Sequence, residues 1–178
     1  HLPWCVHKCP YCDFNSHEAR EEIPEEAYVA ALVADLEAAL PLIWGRRVVS
    51  IFIGGGTPSL ISGEGIDALL TAVRSRVQLV PEAEVTLEAN PGTFEREKFA
   101  GFRAAGVNRL SLGIQSFDAR QLRQLGRIHD ANEARAAATA ALALFERVNL
   151  DLMYALPGQT VEDAVADVAA AVAFGPSH

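Results

Sequence analysis

Apolar and polar positions along the 178 residues sort into two alternating kinds of segment. Short runs rich in Val, Ile and Leu read as strands: VVSIFIGGG (48–56), EVTLEANPG (84–92), NRLSLGIQ (108–115) and VNLDLMYALPG (148–158). Their largely continuous apolar character suits a parallel sheet covered on both faces. Around them lie stretches of helical period: PEEAYVAALVADLEAAL, EGIDALLTAVRSRV, FEREKFAGFRAAG, the Ala-rich DANEARAAATAALALFE and TVEDAVADVAAAVAF. Thr160 is the expected N-cap of the last, and the Ala-rich helix over 131–144 is expected to pack on the sheet. Strand–helix alternation means an α/β fold with right-handed crossovers. Repetition of one βα unit fits a barrel or a doubly wound sheet equally well. Both put functional side chains at the C-terminal ends of the strands. There the sequence places Gly54, Gly55, Gly56 and Thr57, then Glu88 and Asn90, then Gln115, with Asp151 inside the fourth strand.

Half the residues are hydrophobic and 21% are charged, which is enough apolar material for one core and one domain. A net charge of −8 argues against a general binder of nucleic acid or anionic membrane, since both need surplus Lys and Arg. No apolar run approaches the roughly 20 residues of a membrane-spanning helix, and no secretory signal precedes the first motif. With three cysteines and no disulfide pattern, a reducing cytoplasm is the expected compartment. The sole methionine is Met153 and the chain stops at GPSH, just after a helical pattern, so the sequence reads as a fragment trimmed at both ends.

All three cysteines, Cys5, Cys9 and Cys12, fall within HLPWCVHKCPYCDFNSH. That crowding marks a site, not a scaffold. Pro10 excludes a regular helix through the loop. Thiolates select zinc, iron–sulfur clusters or copper(I). A closed zinc site needs four ligands, so His1, His7 or His17 would have to complete it. An iron–sulfur cluster normally takes four thiolates, so three leave one iron open. His7 and His129 themselves read as loop or supporting residues. GGGTP after a strand is neither a phosphate loop nor a dinucleotide fingerprint. Its glycines let a ligand approach the backbone and expose amide groups at a strand end. Glu88 and Asp151 sit in apolar strand sequence, and each needs a ligand, a cation or a hydrogen-bond network. A structural ion pair between Arg127 and Asp151 is the plainer alternative.

The C-x3-C-x2-C spacing is the signature of the radical S-adenosylmethionine superfamily. With it, IFIGGGTPSL, LEANPGT, RLSLGIQSF, LGRIHD and NLDLMYALPGQT resemble the oxygen-independent coproporphyrinogen III oxidase family, in the same order and nearly end to end. The resemblance implies a partial parallel (β/α)6 barrel, with residues 1–178 as its radical S-adenosylmethionine core and a C-terminal domain, carrying most substrate and heme contacts, outside the chain. It implies a 4Fe–4S cluster held by Cys5, Cys9 and Cys12. The fourth iron would be chelated by the amino and carboxylate groups of S-adenosylmethionine, whose reductive cleavage gives a 5′-deoxyadenosyl radical. It further implies Tyr11 near adenine, Gly55, Gly56 and Thr57 lining the cofactor site, Glu88 within it, and Gln115, Arg127 and Asp151 on the same rim.

Coproporphyrinogen oxidases proper carry a further cysteine two positions beyond the third, where this chain has Phe14. In that it resembles a sister branch of heme chaperones. The implied partners are heme as cargo, a heme-acceptor protein and an electron donor such as flavodoxin or ferredoxin, with membrane contact only through an acceptor. One alternative is coproporphyrinogen III dehydrogenase activity, in which the radical abstracts hydrogen from a propionate and decarboxylation leaves a vinyl group. The other is a zinc-binding module. Ala155 stands where relatives usually have glycine, and its methyl is expected to narrow the pocket slightly. Replacing Cys9 with Ala should abolish cluster assembly; full iron content in that variant after anaerobic reconstitution would remove the assignment.

Overall fold

Apolar side chains alternate with polar or small ones over residues 84–89, 109–115 and 147–152, and this sets the architecture. The computed structural model describes the backbone of residues 1–178 and every side chain except those of residues 93–95. Its elements run β1 (Trp4–Cys5), β2 (His17–Glu18), α1 (Glu25–Ile43), β3 (Arg47–Ile53), α2 (Gly63–Arg76), β4 (Gln78–Ala89), α3 (Thr93–Ala105), β5 (Arg109–Gln115), α4 (Ala119–Gln124), α5 (Ala131–Leu144), β6 (Arg147–Leu152) and α6 (Val161–Ala173), with a 3-10 turn at Pro58–Leu60. β3 to β6 form one parallel sheet in the order β3-β4-β5-β6. Neighbours in space are neighbours in sequence, as in a barrel; a doubly wound sheet reverses its order at a switch point.

Val85, Leu87 and Ala89 of β4, Leu110, Leu112 and Ile114 of β5, and Val148 and Leu150 of β6 share one buried core with Ile66, Leu70, Phe99, Phe102, Ala134, Ala137, Ala138 and Ala141 from the helices. The residues between them, Glu84, Thr86 and Glu88, Ser111 and Gly113, Asn149 and Asp151, face the other way and bond to one another or line a cavity. The expectation of a sheet covered on both faces is therefore corrected. Helices cover one face, and the other is the polar wall of a lumen. EVTLEA, RLSLGIQ and VNLDL carry this alternation openly.

Local chemistry sets the helix boundaries. Thr160 caps α6 as expected, its Oγ1 accepting from the Asp163 N–H at 3.1 Å in a capping box. Asp130 and Glu133 do the same for α5, Ser62 caps α2 and Asp118 caps α4. The Ala-rich helix packs inward through Ala134, Ala137, Ala138 and Ala141, where the small side chain permits close approach. β4 begins earlier than its hydrophobic pattern suggests. Residues 80–83, including Pro81, bulge out between the pairs Val48–Leu79 and Ser50–Glu84, where no ladder N–H is needed. Asp167 of α6 is buried and accepts from Ser116 Oγ at 2.6 Å and the Phe117 N–H at 2.7 Å, clamping the last helix to the turn after β5. Among the described residues no helix is long and apolar enough to cross a membrane.

Phe102 is fully buried at the α3–sheet interface. Phe102→Ala should cost about 3–5 kcal/mol of stability, read from urea unfolding at constant slope; a loss below about 1 kcal/mol would take Phe102 out of the core.

Candidate functional site

The first residues of the chain lie across the loop that follows β3. The Leu2 N–H donates to Gly54 O at 2.9 Å, the Gly56 N–H to Leu2 O at 2.7 Å and the Thr57 N–H to Trp4 O at 2.7 Å. A Cβ on Gly55 would stand 2.6 Å from Leu2 O, and one on Gly56 2.5 Å from Trp4 O. Gly55 also has φ 129°. The second and third glycines therefore admit a crossing backbone, which is the physical reason for their placement. Tyr28 of α1 pins the same segment, donating its hydroxyl to His1 O at 2.8 Å and meeting Trp4 edge-on at 4.6 Å.

β1 and β2 pair in parallel, Trp4 with His17 and Cys5 with Glu18, and close residues 6–16 into the cysteine loop. The loop's shape comes from within. Cys12 N–H donates to Cys9 O at 3.0 Å, and the Lys8 ammonium donates to Phe14 O and Ser16 O at 3.1 and 2.9 Å. Glu18 accepts from the Lys8 N–H at 2.9 Å and pairs with His7 at 2.8 Å, so His7 is a loop-bracing residue. Cys5 is buried, while Cys9 and Cys12 are partly exposed. All three line a cavity of about 480 Å³ at the C-terminal ends of the strands.

Of the residues singled out from sequence, Tyr11, Gly56, Thr57, Glu88, Gln115, Arg127 and Asp151 line that cavity with the cysteines. Gly55 is not among the lining residues; its N–H donates to Glu88 Oε2 at 3.2 Å from behind the wall. Arg127 links the two sides. Its guanidinium donates to Asn90 Oδ1 at 2.6 Å and Gly113 O at 2.9 Å from the sheet, and to Tyr11 Oη at 3.3 Å and Cys9 Sγ at 3.6 Å from the loop. Gly126, at φ 67°, lets Pro10 pack against the same turn. The Arg127–Asp151 ion pair does not form. Asp151 instead accepts from Asn149 Nδ2 at 2.6 Å and from Ser111 Oγ at 3.4 Å, while both Nη groups of Arg127 are engaged by Asn90, Gly113, Tyr11 and Cys9.

Asn90 escaped assignment as a site residue, yet it donates to Thr57 Oγ1 at 3.1 Å while accepting from Arg127. Its signal was its place one residue beyond β4, beside Glu88. Ser111, Gly113 and Ile128 also line the cavity; small or exposed residues like these carry little signal on their own. Ala155 does not narrow this cavity. It lies exposed beside a second, apolar one at φ 58°, so the glycine expected there serves backbone conformation.

Burial pushes the Glu88 carboxyl above its ordinary range; the Gly55 N–H opposes this and the Asp151 charge adds to it. Burial also raises the Tyr11 phenol, against the Arg127 charge. His129, only 3% exposed, is pushed down to about 4 by burial and by Arg127, so it is neutral.

Among the described residues no three His, Cys, Asp or Glu side chains gather around one point closely enough to hold a single metal ion. Three thiols spaced around one short loop suit a polynuclear cluster, whose corners each take one thiolate. A lone zinc ion needs its four donors around one centre. Residues 1–171 match the Radical SAM superfamily, and the chain belongs to that family. Membership implies a 4Fe–4S cluster and S-adenosylmethionine, and the donor set and cavity described above fit both. Over its whole length the chain is 51% identical to heme chaperone HemW of Escherichia coli, covering 47% of that protein, and 49% identical to heme chaperone HemW of Haemophilus influenzae, covering 48%. It thus spans about half the length of the curated relatives it matches. Among solved structures, coproporphyrinogen III oxidase (HemN) from Escherichia coli superposes on 99% of the chain and 41% of its own, with a TM-score of 0.87 and 31% identity.

The depressed His129 value carries a sign. The folded state favours the neutral ring, so His129 costs nothing above its ordinary value of 6.5, and stability falls as pH drops from about 6.5 towards about 4. The loss should be on the order of 3 kcal/mol. Urea midpoints at pH 7.5 and 4.5 should differ in the parent and converge in His129→Gln; an equal drop in both would assign the acid sensitivity elsewhere.

Proposed function

We propose that residues 1–178 are the radical S-adenosylmethionine core domain of a cytoplasmic heme chaperone. Cys5, Cys9 and Cys12 hold the cluster, and the adjoining cavity takes S-adenosylmethionine. The single observation that carries the chaperone reading is the 51% identity to a heme chaperone along the whole chain, against 31% to the oxidase. The site chemistry agrees. Phe14, where the oxidases carry a further thiol, is 57% exposed and lines the cavity, so the loop offers three thiols and no more.

The cavity's residues complement the proposed ligand. S-adenosylmethionine bears an ammonium, a carboxylate, a sulfonium, ribose hydroxyls and an adenine. Arg127 supplies a cation for the carboxylate, held in place by Asn90 and Gly113 O. Glu88 and Asp151 supply acceptors for the ammonium and the ribose hydroxyls. Because burial raises the Glu88 carboxyl, a cationic ligand beside it should lower it again and favour the charged form. Tyr11 offers an aromatic face for adenine. Thr57 and the amides around Gly56 form the wall beside the cysteine loop, and Gln115 closes the rim. When bound, the reduced cluster supplies an electron to the sulfonium centre. Heme is the proposed cargo, a heme-acceptor protein its destination, and a flavodoxin or ferredoxin the electron source.

The deciding experiment uses the full-length protein, anaerobically reconstituted, reduced and incubated with S-adenosylmethionine and coproporphyrinogen III. The expected result is an intact cluster without decarboxylated tetrapyrrole. Stoichiometric 5′-deoxyadenosine and decarboxylated product would establish the oxidase instead. Glu88→Ala should weaken S-adenosylmethionine binding about tenfold or more by calorimetry, the cost of losing a charge-assisted contact, while iron content stays unchanged; an unaltered dissociation constant would make Glu88 a structural residue.

A further inference from the structure

β5 contains one residue more than β6 opposes. Leu112 pairs with Leu150 but Gln115 pairs with Leu152, so three steps along β5 match two along β6. The extra length is taken up by a tight turn. The Ser116 N–H donates back to Ile114 O at 2.9 Å, and Gln115 between them has φ 67°. This is the rarer, strained form of three-residue turn, adopted here by a residue with a full side chain. The Met153 N–H secures the far side, donating to Gln115 O at 2.9 Å. Two carbonyls are left facing away from β6, and the turn between α4 and α5 meets both. Arg127 donates to Gly113 O, and His129 Nε2 lies 3.1 Å from Ile114 O.

A carbonyl only accepts, so His129 Nε2 carries the hydrogen and Nδ1 is bare. Nδ1 is buried without a partner. A solvent-accessible histidine would lose little by turning away; this one is sealed in with a single bond to make. The result of the turn is visible at Gly113. A Cβ there would stand 3.1 Å from Gln115 Nε2, 3.4 Å from Arg127 Nη2 and 3.5 Å from Asn90 Oδ1. The left-handed backbone thus folds the Gln115 amide back over Gly113 and into the Arg127–Asn90 group on the cavity wall.

We infer that His129 is a positioning residue: its Nε2–H, given to the Ile114 carbonyl, holds Gln115 in the left-handed turn that delivers its amide to the cavity. His129 is not among the residues lining the cavity and acts through the β5 backbone. Its consequence for cofactor affinity rests on the S-adenosylmethionine reading of the cavity; the backbone effect does not.

The test compares His129→Ala and His129→Gln with the parent in the full-length protein. Gln restores an N–H donor at similar reach. In His129→Ala, hydrogen exchange at the Ser116 and Met153 amides should accelerate about tenfold, the loss of one buried hydrogen bond, while β4 amides keep their parent rates. S-adenosylmethionine binding to the reconstituted protein should weaken about tenfold as well. His129→Gln should return both to within about threefold of the parent. Parent exchange rates at Ser116 and Met153 in His129→Ala would overturn the inference. So would equal acceleration in β4, which would make His129 a general packing residue, or a variant that loosens the turn yet binds S-adenosylmethionine as the parent does. A parent that fails to bind S-adenosylmethionine, while Ser116 and Met153 still respond to His129, would sink the reading of the cavity and leave the turn assignment standing.

Discussion

Everything at the site depends on one contact between two pieces of backbone. The chain's first residues run along Gly54–Thr57 at hydrogen-bond distance, and side chains on Gly55 or Gly56 would occupy the space of Leu2 O and Trp4 O. Main-chain atoms cannot rotate aside as a flexible side chain can. The contact therefore fixes the entry of the cysteine loop and sets it over the strand ends. Gly55, one of the crossed residues, gives its N–H to Glu88 and so ties the second strand end to the same junction. The thiols and the acid reach one cavity because a single glycine run serves both.

Arg127 performs the corresponding task from the other side. Its partners come from the cysteine loop, the end of β4 and the bulge of β5. A guanidinium with five donors in a rigid fork can bind several acceptors at once, which an ammonium on a flexible stem does less well. Asp151 is left to Ser111 and Asn149. Opposite charges are thus held on different walls of the cavity without neutralising each other, a useful arrangement for a ligand that carries both signs.

Much of this was legible in the sequence, and the misses have physical causes. The long strands, the five long helices and the Thr160 cap declare themselves through period and end chemistry. β1 and β2 are two residues each, too short to leave a period, and exist only because tertiary pairing makes them. EVTLEA and VNLDL were read for their apolar content when their alternation held the information: it distinguishes a sheet with a lumen from one buried on both sides. GGGTP was read as a place where a ligand approaches the backbone, but the approaching group at Gly55 and Gly56 is the chain's own backbone. His129 gave no signal of its role, because a side chain that acts through another strand's carbonyl leaves no local pattern.

The alternation also constrains how this scaffold can change. Core-facing and lumen-facing residues are one position apart in β4, β5 and β6, so removing one residue from a strand would turn Leu110 and Leu112 into the lumen and Ser111 into the core. Substitution at a lumen position leaves the helix interface untouched. At the site end of the sheet the β5 bulge absorbs an extra residue, and a neighbouring turn holds it. New chemistry on this sheet is reached by exchanging side chains at fixed strand length, so stability and specificity are carried by two interleaved sets of residues that can vary separately.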